Sequence, residues 1–402
     1  MKIALLSEKY TPDIGGLAIS TGRLGHLLAS VGYEIRVFAP TSNLPASEKR
    51  TLNSNGVSVT RFGAHKRVDD TLVDWFELLI EEHKREPFNV LHAYFLPQAG
   101  FVAAYAGKYL NIPSVVSIRG NDIERAAFDP SKFSHVMYAL QNAGAVTTNA
   151  GELAKKAKAF VDREIVLIPN GIDVNYFKPM EKNSVLANAL GLTLESDSLL
   201  SNNAEQAPRL QDVIGFAGEL REKKGLNALL SAYAQVNKGR PTTLLIVGEV
   251  RAGEDKKIFD KFQTSNPREA YRIIVTGNIS HKDMPAYYSL MDVFVHPSLR
   301  DGMPNALLEA MACEKAVIAT SVGGAADVIE HGKNGMLVNV NDVGALAETI
   351  IQLLGQPENR RAMSKSARET VVHRFTPEKE LNANLEVYRK LGVEQRSNLY
   401  IK

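Results

Sequence analysis

Two carboxylates, Asp301 and Glu309, stand eight positions apart in the segment His296 to Ala312, on either side of a Gly302-Met303-Pro304 turn. An apolar run ends at Val295, and the pattern predicts a helix opening at Pro304. The first N–H groups of a helix have no intrahelical acceptor. Together with the amides around Gly302 they form a donor cluster suited to an anion or to the oxygens of a sugar. Two carboxylates around such a loop accept hydrogen bonds from a polyhydroxylated ligand while the amides donate to it. The plainer alternative is that Asp301 stabilises the helix N-terminus and Glu309 lies on a solvated face beside Asn305, four positions before it.

Two other segments have related chemistry. Pro12-Asp13-Ile14-Gly15-Gly16-Leu17 follows the first apolar run. Paired glycines at a strand-to-helix turn let a phosphate or a pyranose approach the backbone, although a tight turn alone would use them too. Gly218-Glu219-Leu220-Arg221-Glu222-Lys223-Lys224-Gly225 puts cations after another apolar run. Placed before a helix, they would neutralise a diphosphate leaving group, and the competing reading is a solvated turn.

The elements that must carry these segments are legible as a repeating pattern. Short, near-continuous apolar runs occur at Ile3–Leu6, Ile35–Phe38, Val90–Leu91, Pro113–Ile118, Ala145–Thr148 and Ile165–Ile168. They read as strands of a parallel sheet covered on both faces. Leu17, Leu24, Leu28 and Val31 share one helical face directly after the first run, which makes a βα unit. The pattern restarts at Val213–Ala217, Leu244–Val247, Ile273–Val275, Val293–Val295, Ala316–Ala319 and Met336–Val338. Two successive doubly wound α/β domains follow. Residues 182–209, rich in Asn, Ser, Ala and Leu without clean periodicity, read as a loop-bearing linker. Thr376-Pro377 signals a final helix whose Leu381, Leu385 and Tyr388 form an apolar stripe. All three chemical segments then sit at C-terminal ends of strands, where open α/β sheets bind ligands.

Composition excludes several classes. The 402 residues carry 47 Lys and Arg against 45 Asp and Glu, a formal net charge of +2, with 19 basic and 18 acidic residues up to Asp173. Neither half has the basic excess of a nucleic-acid-binding domain. The single cysteine, Cys313, excludes an intrachain disulfide and a Cys-based zinc site. It points to a reducing cytoplasm and to a buried packing role. The N-terminus reaches Glu8 and Lys9 too early for the apolar core of a signal peptide. No apolar run approaches the ~20 residues of a membrane span. The dinucleotide fingerprint G-x-G-x-x-G, the P-loop G-x-x-x-x-G-K-[ST], the hydrolase elbow G-x-S-x-G, H-E-x-x-H and D-x-D are all absent.

In this order, the segments resemble the retaining glycosyltransferases of family 4, which adopt the GT-B fold. The resemblance rests on Gly15-Gly16, the stretch around His92, Arg119-Gly120-Asn121-Asp122, Ile168-Pro169-Asn170-Gly171-Ile172-Asp173, the Gly218 to Gly225 loop, Val247-Gly248, and the Asp301 to Glu309 segment with Gly323-Gly324 behind it. The Asp301 to Glu309 spacing matches the family's E-x7-E motif. The resemblance implies two Rossmann-like domains facing each other across a crevice. An acceptor-binding domain would cover residues 1–175 and a nucleotide-sugar-binding domain residues 176–375, with the linker at 182–209. The segment 376–402 would carry a helix crossing back to the first domain.

The same resemblance assigns roles. Glu309 would bind the ribose, and Asp301 with the amides of Gly302, Met303 and Asn305 would hold the donor sugar. Gly16 and Lys224 would neutralise the diphosphate, Gly277 and Asn278 would border the base, and His92 would lie near the acceptor or sugar. Gly15, Arg119, Asn121 and Asp122 would line the acceptor side. Three positions depart from the family pattern. Asp301 stands where the motif has Glu, Glu219 stands where a phosphate-binding Arg is usual, and Arg119 stands where many relatives have His. Either Arg221 or Lys223 would then substitute, or the phosphate would be gripped mainly by Lys224 and backbone.

The implied activity is transfer, with retention, from a UDP-, GDP- or ADP-sugar to an acceptor hydroxyl, in an EC 2.4 enzyme that needs no metal. The acceptor class stays open between a glycan, a lipid-linked sugar and a small molecule. The expected location is the cytoplasm, with peripheral contact at the inner face of the membrane as the closest approach to lipid. Competing readings are a nucleotide-sugar 2-epimerase, a sugar phosphorylase and a non-catalytic nucleotide-sugar-binding protein.

Overall fold

The computed structural model describes residues 1–13, 15–54, 56–192 and 212–393. The chain divides into two compact units. Unit 1 runs from Met1 to Gly171 and is completed by the segment that begins at Pro377, while unit 2 is Ile172–Thr376.

Unit 1 is built on an eight-stranded sheet: β1 (Lys2–Ser7), β2 (Glu34–Ala46), β3 (Lys49–Ser54), β4 (Val57–Gly63), β5 (Val90–Tyr94), β6 (Ser114–Ile118), β7 (Ala145–Thr148) and β8 (Ile165–Leu167). The strand order is β3-β4-β2-β1-β5-β6-β7-β8. All neighbours are parallel except the antiparallel β3–β4 pair. Successive side chains of β1 serve opposite faces. Ala4 and Leu6 pack into a core with Trp75, Leu79 and Val102. Ile3 and Leu5 pack into another with Leu24, Leu28 and, from the final helix, Leu381, Val387 and Tyr388. A strand buried on both sides has no polar face to show, which is why β1 reads as an unbroken apolar run.

Strands β3 and β4 are additions to the sequence reading. Every residue of β3 is exposed and only Leu52 among them is large and apolar. It is a polar edge strand, the form that resists edge-to-edge association and carries no burial signal.

Unit 2 has β9 (Asp212–Ala217), β10 (Thr242–Val247), β11 (Ile273–Val275), β12 (Val293–His296), β13 (Ala316–Thr320) and β14 (Met336–Val338). They form an all-parallel sheet in the order β11-β10-β9-β12-β13-β14. Val213 and Ala217 of β9 face one core with Phe294, Leu308 and Met311, while Ile214 and Phe216 face the other with Leu229, Tyr233 and Ile350. The expected linker needs correction in its described part, because Ser184–Ala189 form a short helix capped by Asn183. Residues 193–209 lie outside the described residues.

The final helix, Pro377–Lys390, belongs to unit 1. Its buried Glu380 takes a two-point ion pair from Arg23 (2.5 and 3.2 Å) and accepts from the Gly171 amide at 2.8 Å. Cys313 is buried, and burial pushes its thiol up to about 12. No helix among the described residues is long and apolar enough to cross a membrane.

Candidate active site

In unit 2 the order β11-β10-β9-β12-β13-β14 reverses its winding between β9 and β12. Loops leaving the C-terminal ends of two such strands diverge to opposite faces and open a crevice between them. Here they are the Gly218–Gly225 and Pro297–Pro304 loops, so strand order alone brings two of the chemical segments together.

Their backbones interlock. The Leu299 amide donates to the Lys223 carbonyl at 2.9 Å. Gly225 is in the left-handed region (φ 79°), and a Cβ there would fall 2.0 Å from the Pro297 carbonyl oxygen. From the other side, the Thr320 hydroxyl donates to the Ser298 carbonyl (2.5 Å) and the Gly324 amide to the Gly302 carbonyl (2.7 Å). Gly323 (φ 52°) passes so close that a Cβ would meet the Asp301 carbonyl oxygen at 1.9 Å. The loop bearing Asp301 is thus clamped between the ends of β9 and β13.

Within that clamp Asp301 Oδ2 forms an ion pair with Lys224 Nζ and lies 3.1 Å from His296 Nε2, while Asp301 Oδ1 accepts from the Gly302 amide at 3.1 Å. Burial by itself would raise the Asp301 carboxyl. The Lys224 charge and the His296 hydrogen bond outweigh it and hold the group well below the usual carboxylate range. His296 is buried, and burial pulls its pKa down against the opposing pull of Asp301. A neutral ring that donates from Nε2 leaves Nδ1 as an acceptor, and that atom has no protein partner. Asp301 is therefore a fixed anion held by one cation, not a free cap on the following helix.

That helix spans Asn305–Ala312, with Pro304 at its N-cap and no side chain capping it. The solvated-face reading of Glu309 does not survive, because Glu309 is only 6% exposed. Its Oε1 lies 2.9 Å from His281 Nε2, and its Oε2 accepts from the Tyr288 hydroxyl at 2.9 Å. Burial, reinforced by the neighbouring Glu309, lifts the Tyr288 phenol well above its usual range. Met303 is buried against Gly324. Arg221 pairs with Glu219 at 3.1 Å, so the acid at the departing position offsets one of the replacement cations. Gly277 (φ 73°) and Asn278 follow β11, and the Asn278 amide donates to Glu249 Oε1 at 2.5 Å.

In unit 1 the reversal lies between β1 and β5. Gly15 has φ 132°, and Gly16 opens the helix Gly16–Ser30, whose N-terminus no side chain caps. His92 in β5 is fully buried, with Nδ1 2.7 Å from the Tyr388 hydroxyl and Nε2 3.0 Å from Ser117 Oγ. Ser117 Oγ continues to Thr147 Oγ1 at 2.6 Å. Burial, with the nearby Arg119 charge, drops the His92 ring to about 3. It is a neutral link between the sheet and the final helix. The Arg119 guanidinium lies 3.9 Å over the Tyr94 ring and donates to Asn170 Oδ1 at 3.2 Å. Asp122 is buried and accepts from the amides of Arg119, Gly120 and Ile123 at 2.8–3.1 Å. Burial nevertheless raises it to about 6. Asn121 is exposed beside it.

The structure thus gathers Lys224, Asp301 and Gly302 in one cluster, and it anchors Glu309 through Tyr288 and His281. Neither of those two partners was singled out by sequence. They lie 21 and 28 positions from Glu309, beyond any local period.

Comparison with known proteins adds independent findings. The family described as Glycosyltransferase Family 4 matches residues 14–176, and that described as Glycosyl transferases group 1 matches residues 201–370. The chain is similar to the N-acetyl-alpha-D-glucosaminyl L-malate synthase of Bacillus anthracis, at 27% identity over 380 residues, 92% of each chain. Among solved structures it resembles sucrose-phosphate synthase from Thermosynechococcus elongatus, with a TM-score of 0.79 and 22% identity over 97% of this chain and 99% of that one. It also resembles HepE of Anabaena in complex with UDP-glucose, with a TM-score of 0.76 and 20% identity over 98% and 100%.

Proposed function

The chain belongs to the family 4 glycosyltransferases with the GT-B fold and is a sugar-transferring enzyme of glycan or glycolipid biosynthesis; from that premise we propose that it moves a sugar, with retention of configuration and without a metal, from a nucleotide diphosphate sugar held by unit 2. The observation that carries this reading is the Lys224–Asp301 pair at the β9/β12 reversal, with Glu309 fixed eight residues further on.

The roles follow from the chemistry of each group. The Asp301 carboxylate accepts from the donor sugar's hydroxyls while the amides of Gly302, Met303 and Asn305 donate to its oxygens. Lys224 places its charge beside the departing diphosphate. Glu309 takes the ribose hydroxyls, and Tyr288 keeps its carboxylate oriented. Gly277 and Asn278 border the base. Arg221, tied to Glu219, contributes less charge than a free arginine would. UDP is the nucleotide named with the Anabaena neighbour, and it heads the candidates before GDP and ADP.

Asp301 and Glu309, the carboxylates of the unit 2 cluster, are both held by protein partners, and neither is assigned as a nucleophile for retention. The acceptor hydroxyl then attacks from the side the diphosphate leaves, through an oxocarbenium-like transition state. As the C–O bond to the diphosphate breaks and the new glycosidic bond forms, the acceptor proton passes to the leaving phosphate oxygen. Such a reaction rests on positioning and on stabilising phosphate charge. Within unit 1, Gly15, Arg119, Asn121 and Asp122 are the residues assigned to acceptor binding.

The test is a thermal-shift screen against UDP-, GDP- and ADP-sugars, followed by product analysis with labelled donor. One nucleotide series should raise Tm through mass action, and label should move to an added hydroxyl acceptor. A Tm indifferent to every nucleotide would end the proposal. Product formed from donor alone would favour an epimerase instead.

A further inference from the structure

We propose that His296 is the positioning residue of the donor-sugar site, anchored at the end of β12 so that its Nε2–H holds the Asp301 carboxylate in place for the sugar's hydroxyls when Lys224 engages the diphosphate. The inference rests on the transferase reading above and adds to it a residue that acts through Asp301.

His296 is the last residue of β12 and pairs in register with Ala319 of β13. The loop that follows turns back, so that Asp301, five positions on, meets the ring that the strand presents. The ring is only 2% exposed. Its Nε2 lies 3.1 Å from Asp301 Oδ2 and 3.0 Å from the hydroxyl of Ser298, itself fully buried. A carboxylate held as an anion offers only acceptors, so Nε2 carries the proton of the neutral ring and Nδ1 the lone pair. Nδ1 is buried without a protein partner. An unpaired buried acceptor is a cost to the fold that an apolar side chain at the same place would avoid. What offsets it is the hold of the other nitrogen on Asp301.

Two other donors reach Asp301, and neither can aim it while a donor is bound. The Gly302 amide belongs to the peptide that follows Asp301, so it cannot orient the carboxylate independently of the loop. Lys224 Nζ pairs with the same Oδ2 that His296 bonds. It stands at the end of a flexible stem and is the cation assigned to the diphosphate, while Arg221 is tied to Glu219. A diphosphate beside Lys224 shares that charge and repels the carboxylate. The Nε2–H of a ring packed at the strand end is then the donor that keeps Asp301 aimed. Burial pulls the ring's pKa down, so His296 serves as a neutral donor that does not compete with Lys224 for the phosphate.

The experiment separates the two ring nitrogens. A glutamine places its amide nitrogen where the histidine has Nε2, whereas an asparagine places its own near Nδ1 and falls short of Asp301. Full-length wild type, His296→Gln and His296→Asn are titrated by calorimetry with UDP and UDP-glucose; GDP with GDP-mannose, or ADP with ADP-glucose, replaces that pair where wild type prefers another base. In His296→Asn the affinity for the nucleotide sugar should fall about fivefold or more, roughly the worth of one hydrogen bond. Affinity for the bare diphosphate should stay within about twofold of wild type, and His296→Gln should bring nucleotide-sugar affinity back to within about twofold. Because the effect runs through Asp301, His296→Asn should cost no further sugar affinity in an Asp301→Ala background. Undiminished sugar affinity in His296→Asn, equal losses in the two variants, a parallel loss for the bare diphosphate, or losses additive with Asp301→Ala overturn the inference. Any of these in a protein that binds a nucleotide diphosphate ends the inference alone, and a wild type that binds none ends the transferase reading with it.

Discussion

Glu309 illustrates how far a side chain's meaning depends on partners that are distant in sequence. With both oxygens held, by His281 and Tyr288, it has one orientation in which to meet a diol, and the half-exposed His281 ring is the side from which a ligand would approach. Glu309→Gln keeps the shape and removes the charge. Nucleotide affinity should fall about 10–100-fold, the worth of a hydrogen bond to a charged group, as read by calorimetry. Tyr288→Phe should weaken binding less, because it frees the carboxylate without deleting it. Unchanged affinity in Glu309→Gln would remove the ribose role. The spacing of Asp301 and Glu309 was legible because one turn and one helix lie between them. His296, Tyr288 and His281 were not legible as partners, because only the fold brings separate strands and helices to the same carboxylates.

At the scale of elements, loops are fixed by glycines whose neighbours leave no room for a Cβ. Gly323→Ala would put a methyl group 1.9 Å from the Asp301 carbonyl and force L-residue strain at φ 52°. The expected result is a loss of more than about 1 kcal/mol in stability, and a fall of tenfold or more in kcat/KM from the displaced Asp301 loop. Wild-type values in both would show that the clamp is unimportant. The helix Pro377–Lys390 gives a second test, through pH. His92 has a folded pKa of about 3 against an ordinary 6.5, because it is buried between Ser117 and Tyr388. Below pH 6.5 the unfolded chain gains a proton that the folded chain refuses, so this group's stability is full above 6.5 and declines towards pH 3. The slope is up to about 1.4 kcal/mol per pH unit. Urea midpoints from pH 7 to 5 should fall less steeply in His92→Gln than in wild type, and equal slopes would contradict the assignment. Strands were legible where both faces are buried. β3 and β4 were not, since exposed or alternating residues give no continuous apolar run.

For the whole molecule, the apolar stripe of the final helix announced packing but not its partner, because a stripe specifies area and not a surface. The structure gives Leu381, Val387 and Tyr388 to the core of unit 1, while among the described residues the cores of unit 2 draw on residues between Ile172 and Phe375. A chain of residues 172–376 should therefore melt cooperatively by circular dichroism. A chain of residues 1–171 should melt well below the same unit with its final helix restored, and equal melting would contradict the division. In the proposed mechanism, charge at one lysine, held against Asp301 beside a strand-end loop, drives departure of a nucleotide diphosphate. The most direct measurement is kcat/KM for transfer from the preferred nucleotide sugar by Lys224→Ala. A well-placed donor of this kind is worth about 10²–10³ in rate, so a loss of that size is expected. A value within about threefold of wild type, less than 1 kcal/mol, would contradict the claim.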